Sequence, residues 1–231
     1  MLSAGTLFFS RWVRNPPERE TRPAGGPPEE PWYAVLGELR FYLLWLMFLL
    51  STTAGLTFAT HLDRIARVQA SLSEGYVMVA VFALFNAVGR PTGGVLSDRL
   101  GRTRAMTVTF TFMAAVLLLS IVSGTAATFG AAVAMIGLGY GTIFSLFPAA
   151  AVTFFGQERF GLCYGMVFTA IGAAGLYPLL AGHLFDRFGD FSLALALPAL
   201  FCLAAALLST RFRRMPAAEA TGDDRPVRRS G

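Results

Sequence analysis

Six long apolar runs dominate this chain, at roughly 38–60, 76–97, 104–124, 127–154, 161–184 and 191–210, separated by short polar joints; the joint between the third and fourth is only Ser123 to Thr125. A helix of about 20 apolar residues crosses the hydrocarbon core of a bilayer, so each run is long enough to span it. In lipid every backbone polar group must be paired within the segment, which makes helices the natural reading. Of the 231 residues 55% are hydrophobic, more than a soluble domain of this size can bury but what a bundle facing lipid requires. The expected fold is an all-α integral membrane protein with six transmembrane helices.

The flanks have a different character. Residues 1–10 are mildly apolar, too short to span, and followed rather than preceded by the charges of Arg11 and Arg14, which is not the order of a secretory signal. They resemble the last turns of a preceding helix. Residues 15–31 are rich in Pro, Gly and Glu, as a solvated linker is. The expected organisation is thus residues 1–32 as the end of a helix plus a cytoplasmic linker, 33–212 as a six-helix membrane domain, and 213–231 as a charged cytoplasmic tail.

All 19 basic residues are arginine, and the formal net charge is +5. They cluster at helix ends and in the tails rather than among polar aromatic segments, which argues against a nucleic-acid partner. With the linker inside, fifteen arginines lie on the cytoplasmic side and only Arg64, Arg67 and Arg187 outside, while Arg90 falls within a span. The positive-inside rule therefore predicts a multi-pass protein of the inner (plasma) membrane with both termini cytoplasmic.

The joint between the second and third runs reads Gly94-Val-Leu-Ser-Asp98-Arg99-Leu-Gly101-Arg102-Thr-Arg104. Gly94 is expected to let a neighbouring helix approach, and Gly101 to permit a tight reversal. Asp98, at a helix end, can pair with an arginine or a helix N-terminus. Contacts of this kind hold one conformation and break in another, so Gly94, Asp98, Arg99, Gly101 and Arg102 form a candidate gating loop; the plainer alternative is an ordinary basic joint.

Arg90 lies eight residues before Asp98, about 12 Å into the span at 1.5 Å per residue. An arginine at mid-span costs at least ~2.5–3.5 kcal/mol on insertion scales, so it needs a cavity or a partner. Asn86 shares its helical face, and Pro91 removes the hydrogen bond to the carbonyl of Ala87. The partner is either a protein acid or a substrate anion. No Asp or Glu lies in the interior of any run, which leaves a substrate carboxylate as the natural partner.

In the fourth run Gly137, Gly139 and Gly141 allow close packing or bending, with Tyr140 and Phe144 on one face. In the fifth, Tyr164, Phe168, Ile171 and Gly175 share a face, with Gly172 beside it, which suggests a moving helix interface. Tyr140 and Phe144 serve either a binding site or simple packing. His61 and His183 fall at outer span ends, where interfacial placement is the simpler reading than a proton relay. Residues 182–189 echo the Asp-Arg-x-Gly pattern on the opposite side. Cys163 and Cys202 read as small apolar residues, and Trp12, Trp32 and Trp45 as interfacial or packing residues. No catalytic constellation, metal-ligand spacing or cofactor motif is present in the sequence, so no enzyme is expected.

The gating-loop sequence and its place between the second and third spans resemble those of the major facilitator superfamily. A narrower resemblance, to its oxalate/formate antiporter family and the related monocarboxylate transporters, rests on Arg40-Phe41 to Leu44-Trp45, Ala54-Gly55-Leu56, Asn86-Ala-Val-Gly89-Arg90-Pro91 and Tyr140-Gly141 to Phe147-Pro148-Ala149. Phe154-Phe155-Gly156 to Phe160-Gly161, Tyr164-Gly165, Pro178, Ala181-Gly182 and the opening Arg14-Asn15-Pro16-Pro17 extend it across nearly the whole chain. The resemblance implies a C-terminal half of a twelve-helix secondary transporter, with a central site between two six-helix halves and no cofactor. It implies that Arg90 is the anion-binding arginine and that Tyr140 lies in an aromatic lining. It also implies that Ile171 stands where the family often has a second basic residue, a lysine.

The expected function is therefore transport of a small organic anion, a monocarboxylate or an oxalate/formate-type exchange, with Arg90, Asn86, Tyr140, Phe144, Tyr164 and Ile171 as site residues. One charge rather than two favours a monocarboxylate. The expected partners are the bilayer and either the missing N-terminal half or a second copy of the chain. The alternatives are a non-transporting membrane module that pairs with a partner, and a transporter of the same superfamily for a different substrate such as a sugar or drug.

Overall fold

In a computed structural model of the chain, residues 32–70 and 75–214 are described. The stretch 1–10, the linker 15–31 and the tail 215–231 lie outside them. Contacts divide the chain into Met1–Ala34 and Val35–Gly231, and it is the second unit that carries the bundle. After a 3-10 turn at Trp32–Gly37, the described residues contain only helices: α1 (Leu39–Ala70), α2 (Tyr76–Leu100), α3 (Arg102–Ile121), α4 (Ala126–Ala174), α5 (Tyr177–Phe188) and α6 (Ser192–Phe212).

Five runs are long and apolar enough to cross a membrane, because Ala126–Phe188 forms one run of 63 residues. Straight, such a run would be about 95 Å long, three times the hydrocarbon thickness. It does not stay straight. Gly156, at φ 78° and ψ 164°, breaks α4 into two arms. Phe144 and Phe168, each twelve residues from Gly156, have ring centroids 6.5 Å apart, so the arms double back as a hairpin. One run thus supplies two passes, and the six expected spans are recovered with different joints. The fifth expected span, 161–184, is also interrupted: α4 ends at Ala174, and α5 restarts at Tyr177 with Pro178 in its first turn, where a missing N–H costs nothing.

Other boundaries follow from local chemistry. Gly101, at φ 82° and ψ 152°, separates α2 from α3 in the backbone region where only glycine is comfortable. At the start of α4 the backbone N–H of Thr128 donates to Thr125 Oγ1 (3.2 Å) and that of Thr125 donates back to Thr128 Oγ1 (3.3 Å), a reciprocal cap. Helix α1 continues ten residues past the expected end of its apolar run, carried by polar residues such as the Asp63–Arg67 pair at 2.9 Å.

Helix α1 is the centre of the unit, packing on α4 and α6; α2 packs chiefly on α4, and α3 on α6. The stretch Ser51–Gly55 is wholly buried. Its hydroxyls are satisfied within their own helix, for example Thr52 Oγ1 donating to Phe48 O (2.6 Å) and Thr53 Oγ1 to Leu49 O (2.8 Å), which lets polar side chains sit in an apolar bundle. Around them lie Met47, Phe48, Phe58, Phe110 and Phe147, all fully buried. Helix α2 buries only Phe82, Gly89, Gly93 and Ser97, one narrow face, and most of its other residues are exposed or half-exposed.

Candidate functional site

The buried face of α2 meets the first arm of α4 glycine to backbone. Gly89 and Gly93 on α2, and Gly137 and Gly141 on α4, each lie four residues apart and so on one helical face. A Cβ on Gly137 would come within 2.6 Å of Phe82 O, and one on Gly93 within 2.8 Å of Thr142 O; Gly141 sits against Asn86 O and Gly89 against Leu138 O. Thr142 Oγ1 donates across the contact to Gly89 O (3.1 Å) as well as to Leu138 O (2.9 Å). The three glycines of the fourth run therefore serve close packing rather than bending: Gly139 is backed by Met113.

This contact fixes Arg90 beside the aromatic face of α4. The guanidinium carbon of Arg90 lies 6.0 Å from the ring centroid of Phe144, at the outer limit of a cation–π contact. Among the described residues Arg90 has no hydrogen bond or ion pair and is exposed on the open side of the bundle. Asn86, one turn earlier, is half-buried, with its side chain unbonded among the described residues. Pro91 deprives Ala87 O of its helical partner, while Thr92 Oγ1 donates to Val88 O (2.8 Å).

Tyr140 and Phe144 meet edge to face at 5.0 Å, and the ring of Tyr140 packs flush on Gly55 of α1. From Phe144 the rings continue to Phe168 (6.5 Å), Tyr164 (5.7 Å) and Phe160 (5.5 Å, stacked) on the second arm. Phe48 of α1 backs both Phe144 (5.9 Å) and Phe168 (6.0 Å). Trp45 joins the same wall by donating its indole N–H to Thr169 Oγ1 (3.0 Å). The structure thus gathers Arg90, Asn86, Tyr140, Phe144 and Tyr164 on one side. Ile171 is half-buried against the core on the same arm, with no ring or polar contact to Arg90. Phe168 and Phe48 complete the wall; Phe168 was legible only as a face-mate of Tyr164, and Phe48 carries no signal that distinguishes it from core.

In the candidate gating loop, Arg102 Nη1 donates to Asp98 Oδ1 (2.9 Å) and to Ser97 Oγ (2.7 Å), so Asp98 pairs locally, within the loop. Arg99 is exposed. Gly94 differs from its expected role: no atom of the described chain lies within 4 Å of where its Cβ would be, and the close approach is taken by Gly93 instead. On the face of the fifth run expected to form a moving interface, Tyr164 meets Phe168 and Phe168 meets Phe144 and Phe48, while Gly172 beside it faces open space among the described residues.

At the other end of the bundle, His61 Nε2 donates to Pro178 O (2.9 Å), and Arg64 meets Asp186 at 3.5 Å while lying over the Phe185 ring at 4.0 Å. These ties bind α1 to α5 beside an open depression of about 340 Å³ lined by Thr60, His61, Gly182, His183 and Asp186. Among the described residues no group of three or more His, Cys, Asp or Glu is placed to hold a metal.

Comparison with known proteins agrees with this architecture. YhjX of Escherichia coli (strain K12), an uncharacterized transporter of the MFS type, is 27% identical over 179 residues, covering 74% of this chain and 44% of its own length. The oxalate:formate antiporter of Oxalobacter formigenes is 29% identical over 142 residues, covering 60% of this chain and 34% of the antiporter. The fucose:proton symporter FucP of Escherichia coli superposes with a TM-score of 0.62 at 20% identity, over 79% of this chain and 45% of FucP, which shows a shared fold. The chain therefore spans less than half the length of these relatives. The family is one of membrane transporters, not enzymes. The profile of the Major Facilitator Superfamily matches residues 1–176 and 58–229, and with five long apolar runs folded as six passes this chain belongs to that superfamily.

Proposed function

We propose that this chain is the C-terminal half of a secondary transporter of small organic anions, working by alternating access around a site that Arg90 anchors. The observation that carries the reading is the lone guanidinium of Arg90: it sits about mid-span, free of any protein carboxylate among the described residues, on the uncovered side of the bundle. A charge so placed is stabilised by a bound anion, and a planar guanidinium suits a carboxylate. Likeness to an oxalate:formate antiporter supports the same class of cargo.

In this reading a second six-helix half, from the same polypeptide or from a second copy of the chain, covers the open wall, and the halves rock about the cargo. Asn86 orients the carboxylate, and Tyr140, Phe144 and Tyr164 line the site, with Ile171 in place of a second basic group. In this reading the gating loop lies on the cytoplasmic side of an inner membrane with both termini cytoplasmic, the orientation that the positive-inside rule favours. The Asp98–Arg102 pair is remade or broken as the inner face closes or opens.

The test is uptake of labelled formate, acetate, lactate and oxalate into proteoliposomes holding this chain with the half that completes it. Replacing Arg90 by Ala should abolish uptake, and replacing it by Lys, which keeps the charge but loses the planar fork, should reduce it severely. Unchanged uptake in the Arg90→Ala protein removes Arg90 from the site and the anion assignment with it.

A further inference from the structure

We propose that the preferred cargo is a monocarboxylate with an apolar, ring-sized body, held with its carboxylate on Arg90 and its body across Phe144 and Phe168, and that Phe168 sets this preference. The inference rests on the reading of Arg90 as the anion anchor and goes further by naming what the remainder of the cargo must be.

The geometry begins at the cation. The guanidinium of Arg90 stands 6.0 Å from the centre of the Phe144 ring, and the centroids of the Phe144 and Phe168 rings are 6.5 Å apart. The surface next to the charge is therefore aromatic carbon over two successive rings. These rings are held in place: Phe48, fully buried, backs both at 5.9 and 6.0 Å, Tyr140 meets Phe144 edge-on, and Tyr164 meets Phe168 at 5.7 Å. Yet Phe168 keeps 44% of its surface exposed, and Phe144 and Tyr164 are only half-buried, so a preorganised apolar face is left open beside the charge.

Two hydroxyls beside the rings are already engaged, and the unbonded amide of Asn86 lies one turn from Arg90, at the carboxylate end of the cargo. Ser145 Oγ donates to Thr142 O, and Thr169 Oγ1 donates to Met166 O while accepting from Trp45. The basic group on the same arm, Arg159, is paired with Glu38 at 3.6 Å. A formate on Arg90 would leave both rings uncovered. The second carboxylate of oxalate would be carried toward ring carbon with no unpaired cation among the described residues of that arm to receive it, and a buried unpaired charge is strongly disfavoured. An aryl or branched alkyl acid covers the rings and presents one charge to the one guanidinium.

The experiment measures uptake of labelled phenylacetate, acetate, formate and oxalate by proteoliposomes of the completed transporter, with protein-free liposomes subtracted. The Arg90→Ala, Phe168→Ala and Phe168→Leu proteins are compared. Phenylacetate should half-saturate uptake at the lowest concentration of the four, and Phe168→Ala should raise that concentration about tenfold, the size of losing one ring contact, while leaving acetate nearly unchanged. Phe168→Leu, which stays apolar and keeps the wall filled, should fall between. Formate or oxalate half-saturating below phenylacetate, or Phe168→Ala shifting all acids equally, overturns the inference even while Arg90→Ala still abolishes uptake. Uptake that survives Arg90→Ala, or absent for all four acids in the unmodified protein, overturns the anion reading itself.

Discussion

The glycine contact between α2 and α4 makes a prediction whose sign separates packing from mere helix propensity. At Gly137 a Cβ would stand 2.6 Å from Phe82 O, where ordinary contact begins at 3.4 Å, a shortfall of roughly 0.8 Å in a closely packed interior. The obstructing atom is backbone, so no side chain can swing away and the whole of α2 must retreat. Overpacking of this kind costs about 1–3 kcal/mol, set against a gain of about 1 kcal/mol for removing glycine from a helix interior. Gly141, facing Asn86 O more closely still, should suffer at the upper end of that range. Gly165, also inside a helix but with nothing within 4 Å, keeps only the gain. Thermal unfolding of the purified chain in detergent, at one scan rate, should therefore show Gly141→Ala and Gly137→Ala below the unmodified protein and Gly165→Ala at or above it. At about 2–4 °C per kcal/mol for a chain of this size, the Gly141→Ala deficit is several degrees. Gly141→Ala and Gly165→Ala unfolding together would refute the packing argument and, with it, the reason Arg90 is held beside Phe144.

Further outcomes follow from single contacts. Thr142→Val deletes the hydroxyl that reaches Gly89 O and should lower stability by about 0.5–1.5 kcal/mol, while Thr142→Ser retains it; loss in Thr142→Ser with none in Thr142→Val would point to the methyl group instead. Gly156→Ala forces a side chain into φ 78° at the α4 hairpin and should cost about 1–2 kcal/mol by the same unfolding measurement, with Gly189→Asn, at φ 78° and ψ 0°, tolerated better because asparagine accepts the left-handed region. Asp98→Asn breaks an ion pair whose carboxylate is 71% exposed, so it should change the unfolding midpoint little, yet slow uptake if the loop takes part in gating; a normal rate would leave the pair a surface feature.

Much of the architecture was legible because lipid leaves a chain so few options. Runs of about 20 apolar residues declared the passes, and the Gly101 reversal was visible in the spacing of Asp98, Arg99 and Arg102. The joints were less so. Apolar composition says where a segment is comfortable, not where its helix stops, so α1 running on to Ala70 and the break at Gly175-Leu176 needed the structure. The choice among adjacent glycines was likewise hidden: successive residues turn by about 100°, and whether Gly93 or Gly94 faces a partner depends on how α2 is rotated against α4. Arg90 and Asn86 announced themselves by their cost in a span. Phe168 did not, since its importance comes from meeting Phe144 across a hairpin, and an aromatic in an apolar run otherwise signals only burial.

The central claim is that Arg90 holds the carboxylate of the cargo. A structure of the completed transporter with a bound monocarboxylate tests it most directly. The account predicts the two carboxylate oxygens at about 2.7–2.9 Å from the guanidinium nitrogens of Arg90, with the organic body over Phe144. Cargo bound elsewhere while Arg90 is closed onto an acidic side chain of the other half would contradict it.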